Sequence, residues 1–253
     1  EGTYHLSNLL QELAQLKESN LIEGEINLHR ILENPVERIS RKIREDYWNE
    51  LTRTIDKKGL AQILQDEKTS NEIPTLYVPA TDPQGVAYFQ ELEKELRNFR
   101  VAILPENFSM EYVETLNTKP GILALALEQK IYSLQGVPFV VPGGRFNEMY
   151  GWDSYFIGVG LLIDNQLEKA MAIADNFKYQ ITHYGKILNA NRSYYLTRTQ
   201  PPLYTSLIMD VLEKSPGISV DQNGTITFKG KSGVQVYIDD KPTYLSGAEL
   251  EAY

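Results

Sequence analysis

Val141-Pro142-Gly143-Gly144-Arg145-Phe146-Asn147-Glu148-Met149-Tyr150-Gly151-Trp152-Asp153-Ser154-Tyr155 decides how the rest of the chain is read. A proline and paired glycines let the backbone turn sharply and come close to a ligand. Behind that turn, one arginine, two carboxylates and four aromatic residues stand where an apolar helix opens. Aromatic faces beside hydroxyl-binding acids and a forked guanidinium are the groups a sugar site uses. The same composition suits an ordinary loop-to-helix junction around a buried tryptophan, so composition alone leaves both readings open.

Two blocks downstream narrow the choice: His183-Tyr184-Gly185-Lys186-Ile187-Leu188-Asn189-Ala190-Asn191-Arg192-Ser193-Tyr194-Tyr195, then Leu196-Thr197-Arg198-Thr199-Gln200-Pro201-Pro202. In this order, the three blocks resemble the signatures of the trehalases, glycosidases that split trehalose into two glucoses. Their wording is most similar to the neutral trehalases of yeasts and moulds. Gly2 to Leu13, Asn27 to Arg41 and the Leu104-Pro105-Glu106-Asn107-Phe108-Ser109 run carry the same resemblance. It implies an (α/α)6 toroid whose loops at one end build the sugar pocket. In that family a calcium-binding regulatory segment precedes a stretch similar to Gly2 to Leu13, and the expectation here is that its calcium site is missing.

Composition sets outer bounds. The chain has 253 residues, 42% hydrophobic and 23% charged, enough apolar material for a sizeable core. A net charge of -9 and a pI near 5.0 disfavour nucleic acid and anionic membrane surfaces as partners. No run approaches the ~18 apolar residues of a membrane helix, and the opening residues show no signal-peptide pattern. The absence of cysteine excludes a disulfide framework and thiolate chemistry. His5, His29 and His183 are scattered, no HExxH motif occurs, and no cofactor or metal is implied. The expected setting is cytoplasmic, the expected ligand trehalose or a related small sugar.

Local patterns predict mainly α structure. Leu6, Leu9, Leu10, Leu13 and Leu16 recur at helical spacing and predict an amphipathic helix packed on its leucine face. Asn34 and Pro35 have the types that open a helix. Val36, Ile39, Ile43, Tyr47, Leu51 and Ile55 then predict an apolar stripe of roughly five turns. Arg38, Arg41, Lys42, Arg44 and Arg53 should form its solvated face, paired with Glu37, Glu45 and Asp46. Thr75 to Pro79 should be extended, Ala87 to Phe99 helical, and Ser109 should cap a helix holding Tyr112, Val113 and Leu116. Ile122 to Gln129 reads as helical, as do Tyr155 to Ile163, Gln166 to Gln180 and Leu203 to Lys214. Cut off from their partners in a partial barrel, such helices would expose apolar faces and favour self-association.

After Ser215-Pro216-Gly217 the texture changes. Asn223-Gly224 is a hairpin turn signal inside Ile218 to Phe228, and Val234 to Ile238 is a further strand. Residues 211–253 resemble the plug domain of TonB-dependent outer-membrane receptors. The expected division is therefore a trehalase-like helical region at 1–208 and a short β segment at 209–253. A plug module of such a receptor, and a carbohydrate-binding fragment without turnover, are the alternatives to a trehalase.

Glycoside hydrolysis needs two carboxyl groups across the scissile bond. Glu148 and Asp153 are the nearest candidates, but at five residues apart they do not share a helix face squarely. A carboxylate gripped by Arg145 would be held ionised, which is wrong for a general acid. The resemblance instead makes Arg145, Trp152, Asp153, Asn189, Arg198 and Gln200 sugar-binding residues. It puts the catalytic acid and base after the Arg198-Thr199-Gln200-Pro201-Pro202 block, where Asp221, Asp239, Asp240, Glu249 and Glu251 match neither. The expectation is a trehalase fragment with little or no hydrolysis of its own.

Overall fold

A computed structural model describes residues 3–18, 26–64, 73–116, 118–201, 203–221, 226–229, 237–238 and 241–242. They form two compact units, 1–50 and 51–253.

In the first unit, α1 (Thr3–Glu18) is followed by α2 (Leu28–Leu32) and α3 (Pro35–Lys42). Asn34 caps α3 as its sequence predicts: its Oδ1 accepts from the Val36 and Glu37 amides, with Pro35 at the first helical position. A π-helical turn (Ile43–Tyr47) and a last short turn, α4 (Trp48–Glu50), end the helical run at residue 50, not 55.

The predicted polarity of this unit is inverted. Val36 is 73% exposed and Ile39 58%, whereas Arg38 is 5% exposed. Leu6, Leu10 and Leu13 of α1 also face outward, and Asn8 and Glu12 are buried. Arg38 donates to Gln11 Oε1 (3.1 and 3.0 Å), to Glu12 Oε1 (3.0 Å) and to the Arg30 carbonyl (3.0 Å). Arg41 donates to both Glu33 oxygens and to Glu45. The Arg41 bond holds Glu33 below its usual value, outweighing a slight desolvation. Asn8 bridges α1 to the Ile31 and Glu33 carbonyls at 3.0 Å. A fully partnered set of charges tolerates burial that a bare one would not.

The second unit opens with β1 (Thr52–Arg53), α5 (Leu60–Leu64) and β2 (Thr75–Pro79). Next come α6 (Pro83–Leu96), β3 (Arg100–Leu104), α7 (Met110–Leu116) and β4 (Ile122–Leu123). Strands order as β3-β2-β4, all parallel, with Tyr77 opposite Ala102 and Leu123. Asp82 caps α6 through the Gly85 amide, and Ser109 Oγ accepts from the Tyr112 amide at the start of α7.

Ile122 to Gln129 is not a helix. It supplies β4 and then β5 (Leu127–Gln129), which pairs antiparallel with β6 (Leu134–Gly136). Ile122, Leu123, Ala124 and Leu125 are all buried. A short continuous apolar run fits a fully buried strand as well as a helix, and here the parallel sheet claims it. β7 (Phe139–Val140) pairs antiparallel with β1.

Three helices complete the unit: α8 (Gly151–Ile163), α9 (Leu167–Tyr184) and α10 (Tyr204–Lys214), which pack on one another. β8 (Ile218–Val220) pairs antiparallel with β9 (Ile226–Phe228) and lies on α10. β10 (Tyr237–Ile238) pairs with β11 (Lys241–Pro242). The Asn223-Gly224 turn, residues 234–236 of the further strand, Asp239, Asp240, Glu249 and Glu251 lie outside the described residues. By residues the chain is mainly α, with strands more numerous than its sequence suggests.

Candidate functional site

The site grows from one core. Tyr77 and Leu123 of the parallel sheet, Leu104, Val113 and Leu116 pack with Tyr179 and Tyr184 of α9 and with Leu188 and Leu196. The last two residues root the loop after α9, so this loop is pinned from below by apolar burial. Tyr184 donates to the Ala124 carbonyl (2.7 Å) and Gln180 Oε1 accepts from the Leu188 amide (2.9 Å), fixing where the loop leaves the helix.

The opening stretch enters from the other side. Gly143 and Gly144 adopt φ of 94° and 60°, a left-handed pair that closes a turn through bonds between Gly143 and Phe146. Side chains with a Cβ rarely adopt that backbone. Asn147 then anchors the turn, accepting from Arg53 Nε (2.8 Å) and donating to the Gln62 carbonyl (2.9 Å). Glu148 is 1% exposed and takes Nε and Nη2 of Arg192 on one oxygen, at 2.8 and 2.7 Å. Asn191, fully buried, accepts from the Met149 amide (2.8 Å) and donates to the Leu123 carbonyl (3.1 Å). Burial pushes the Tyr150 phenol up, with the Glu148 carboxylate beside it adding to the effect.

These ties bring three sequence blocks to one place. Gly151 donates its amide to the Asn189 carbonyl (3.1 Å), Asn189 donates its own to the Arg198 carbonyl (3.0 Å), and Trp152 donates to Gln200 Oε1 (2.7 Å). Isolated bridges join Tyr150 to Ala190 and Leu188 to Thr199. Trp152, Asn189, Arg198 and Gln200 are thus neighbours, tied by backbone bonds and by the Gln200 side chain, with Asp153 in the same first turn of α8. Arg145 sits at the far end of the turn. It lies over Phe146 (5.1 Å), which meets Tyr150 edge-on. Arg198 lies over Tyr195 (5.8 Å). Among the described residues, neither Arg145, Asp153 nor Arg198 forms an ion pair, and Trp152 is 47% exposed.

Glu148 and Asp153, the carboxylates weighed as a catalytic pair, therefore part company. Glu148 is a buried tie between blocks, bound by Arg192 rather than Arg145, and only Asp153 reaches the surface. Sequence reasoning missed the framework behind the site: Arg192, Asn191 and Gln180. Their types carry no signal until the fold shows them buried. No group of three or more metal-ligating side chains occurs among the described residues.

Comparison with known proteins places these features. The family model described as trehalase matches residues 25–238. A cytosolic neutral trehalase of Emericella nidulans is 46% identical over 229 residues, covering 85% of this chain and 30% of that protein. A probable trehalase of Eremothecium gossypii is 44% identical over 235 residues, covering 88% and 31%. The solved structure of neutral trehalase Nth1 from Saccharomyces cerevisiae superposes with a TM-score of 0.68 at 42% identity, over 72% of this chain and 35% of that one. The chain thus spans about 30% of the length of the curated relatives it matches. The family match crosses position 208 and takes in much of the stretch that resembles a receptor plug, and the plug reading finds no support in it.

Proposed function

Because the chain belongs to the trehalase family, we propose that residues 141–200 form the sugar-recognition part of an α,α-trehalase site. Arg145 and Arg198 donate to glucose hydroxyls, Asp153 accepts from them, Asn189 and Gln200 complete the polar lining, and Trp152 covers an apolar sugar face. The observation that carries this reading is a contrast. Behind the site Asn191, Gln180 and one oxygen of Glu148 are buried and hydrogen-bonded, while Arg145, Asp153 and Arg198 form no ion pair among the described residues. A structural ion-pair network would have joined them.

The wider reaction of this reading is inverting hydrolysis of trehalose to glucose; the relatives are named trehalases. Neither carboxylate of the opening stretch serves as acid or base in this reading: Glu148 is buried against Arg192, and Asp153 accepts from a sugar hydroxyl. The chain is accordingly read as a binding portion with little turnover of its own. Helices α8, α9 and α10 would belong to an (α/α)6 toroid, and a cytoplasmic setting follows the relatives named cytosolic. The exposed apolar residues Phe156 and Ile163 of α8 support self-association as a further property.

Titration of the protein with trehalose by calorimetry tests the reading. Saturable binding that Arg198→Ala weakens about tenfold or more is the expected result, since a hydrogen bond to a charged group is worth ~1.5–3 kcal/mol. Wild-type protein that takes up no trehalose, with glucose and maltose equally inert, would refute it.

A further inference from the structure

The carboxyl ends of parallel strands are where such sheets commonly take a ligand. In this protein they take the last turns of α9. Thr81 and Asp82 follow β2, and Ala124 follows β4. Asp82 Oδ2 accepts from the Tyr179 hydroxyl (2.9 Å), the Ala124 carbonyl accepts from Tyr184 (2.7 Å), and Nδ1 of His183 lies 2.8 Å from Thr81 Oγ1. The His183 ring also lies against that of Tyr179, their centroids 4.3 Å apart. One residue past Tyr184, Gly185 turns left-handed (φ 71°) and the loop that runs to Gln200 begins. Tyr179, Tyr184 and Leu188 share one buried cluster, so the grip on the end of α9 and the course of the loop are set together.

We propose that His183 is a proton-operated catch on this loop: neutral, it seats the end of α9 against the strand ends; protonated, it releases that seat and weakens sugar binding without touching the sugar. The affinity part rests on the sugar-site reading above. The surroundings favour the neutral ring. His183 is half-buried, and an imidazolium there would exchange water for one hydroxyl and an aromatic ring. Asp82 is the charged group that acts on it, but both Asp82 oxygens are engaged, Oδ1 by the Gly85 amide and Oδ2 by Tyr179. Among the described residues Asp82 and His183 form no ion pair. Burial accordingly pushes His183 down, against a weaker upward pull from Asp82. Tyr179 and Tyr184, the other titratable groups around it, are pushed well up by burial and stay uncharged where His183 titrates. Protons therefore favour the released arrangement. The grip is complete above the ordinary histidine value of about 6.5 and is lost as pH falls below it.

Trehalose calorimetry at about pH 7.5 and about pH 5.5 tests the catch. The wild type should lose at least about threefold in affinity on acidification, and His183→Gln should bind alike at both within about twofold. Coupling is reciprocal, so bound trehalose should lower the pH midpoint of the His183 ring signals in NMR by about 0.5, the same threefold read from the proton's side. Hydrogen exchange, corrected for the intrinsic effect of pH, reads the catch without sugar. Acid should lower protection of the Leu188 amide, bound by Gln180, at least about threefold more than that of the Val141 amide, bound by the Leu51 carbonyl. A merely structural histidine would lower both amides together, and that result overturns the proposal. So does pH-independent affinity in the wild type, or an unaltered dependence in His183→Gln. If His183→Gln fails to fold, the wild-type midpoint with and without trehalose decides, and an equal midpoint overturns the coupling. Wild-type protein that takes up no trehalose at either pH would refute the sugar-site reading, while the exchange comparison still decides the catch.

Discussion

Removing Arg192 should damage this protein more than removing any of its exposed arginines. The guanidinium lies buried against Glu148, with Nε and Nη2 at 2.8 and 2.7 Å from one carboxylate oxygen. The side chains are 3% and 1% exposed, so water cannot replace either partner. Breaking such a pair from one side costs about 3–5 kcal/mol, because an uncompensated charge stays buried. For a unit of roughly 200 residues, 1 kcal/mol moves Tm by about 2–4 °C, so Arg192→Met should lower it by roughly 6–20 °C. Glu148→Leu should fall in the same range. The double variant removes both charges and should recover much of the loss. Thermal unfolding of the four proteins by circular dichroism gives the coupling directly. Additive single effects, or an Arg192→Met shift under about 2 °C, would refute the view that this pair holds the two blocks together.

In the first unit, Arg38→Met should cost about 3–5 kcal/mol and Ile39→Ser stay within about 0.5 kcal/mol; urea titration reads both, and the reverse order would restore the predicted polarity. Gly151→Ala should destabilise by about 1–3 kcal/mol through overpacking, although alanine is ordinarily the better helix former; an unchanged or raised Tm would show that the close approach to Leu188 and Gln200 is not needed. Burial lowers the pKa of His183, whose Nδ1 lies 2.8 Å from Thr81 Oγ1. The folded state therefore resists a proton that the unfolded chain accepts near pH 6.5, and stability should fall as pH drops from about 7 to 5. His183→Gln should flatten that slope in chemical denaturation curves, and an unaltered slope would assign it to other groups.

What was legible in the sequence follows the physics of each signal. Local signals survived: Asn34 and Pro35 start α3, and Ser109 caps α7, because a cap is satisfied within four residues. Periodicity failed where burial was decided elsewhere. The leucines of α1 and the stripe of α3 mark an amphipathic helix in each case, yet periodicity reports only that two faces differ. Which face turns inward depended on Arg38, Arg41, Glu12, Glu33 and Asn8 satisfying one another, a condition set by three segments at once. Ile122 to Gln129 departs from the helical expectation for a related reason. Its apolar run is neutral between helix and strand, and the parallel register with Leu76 and Tyr77 settles it.

The sugar-site stretch shows the same division. Its residue types are those of the proposed sugar chemistry, but type alone does not tell its two acids apart. Glu148 differs from Asp153 only because Arg192, 44 positions on, reaches it inside the core. Nor could any local rule disclose that the Trp152 amide depends on Gln200, 48 positions away. A helix without its own cap is a gap that the sequence shows as mere absence. The fold fills it with Asn189 and Gln200, two groups of the proposed sugar site, so the stability of α8 and the geometry of that region are linked, and changes at Gly151 or Gln200 must be read on both.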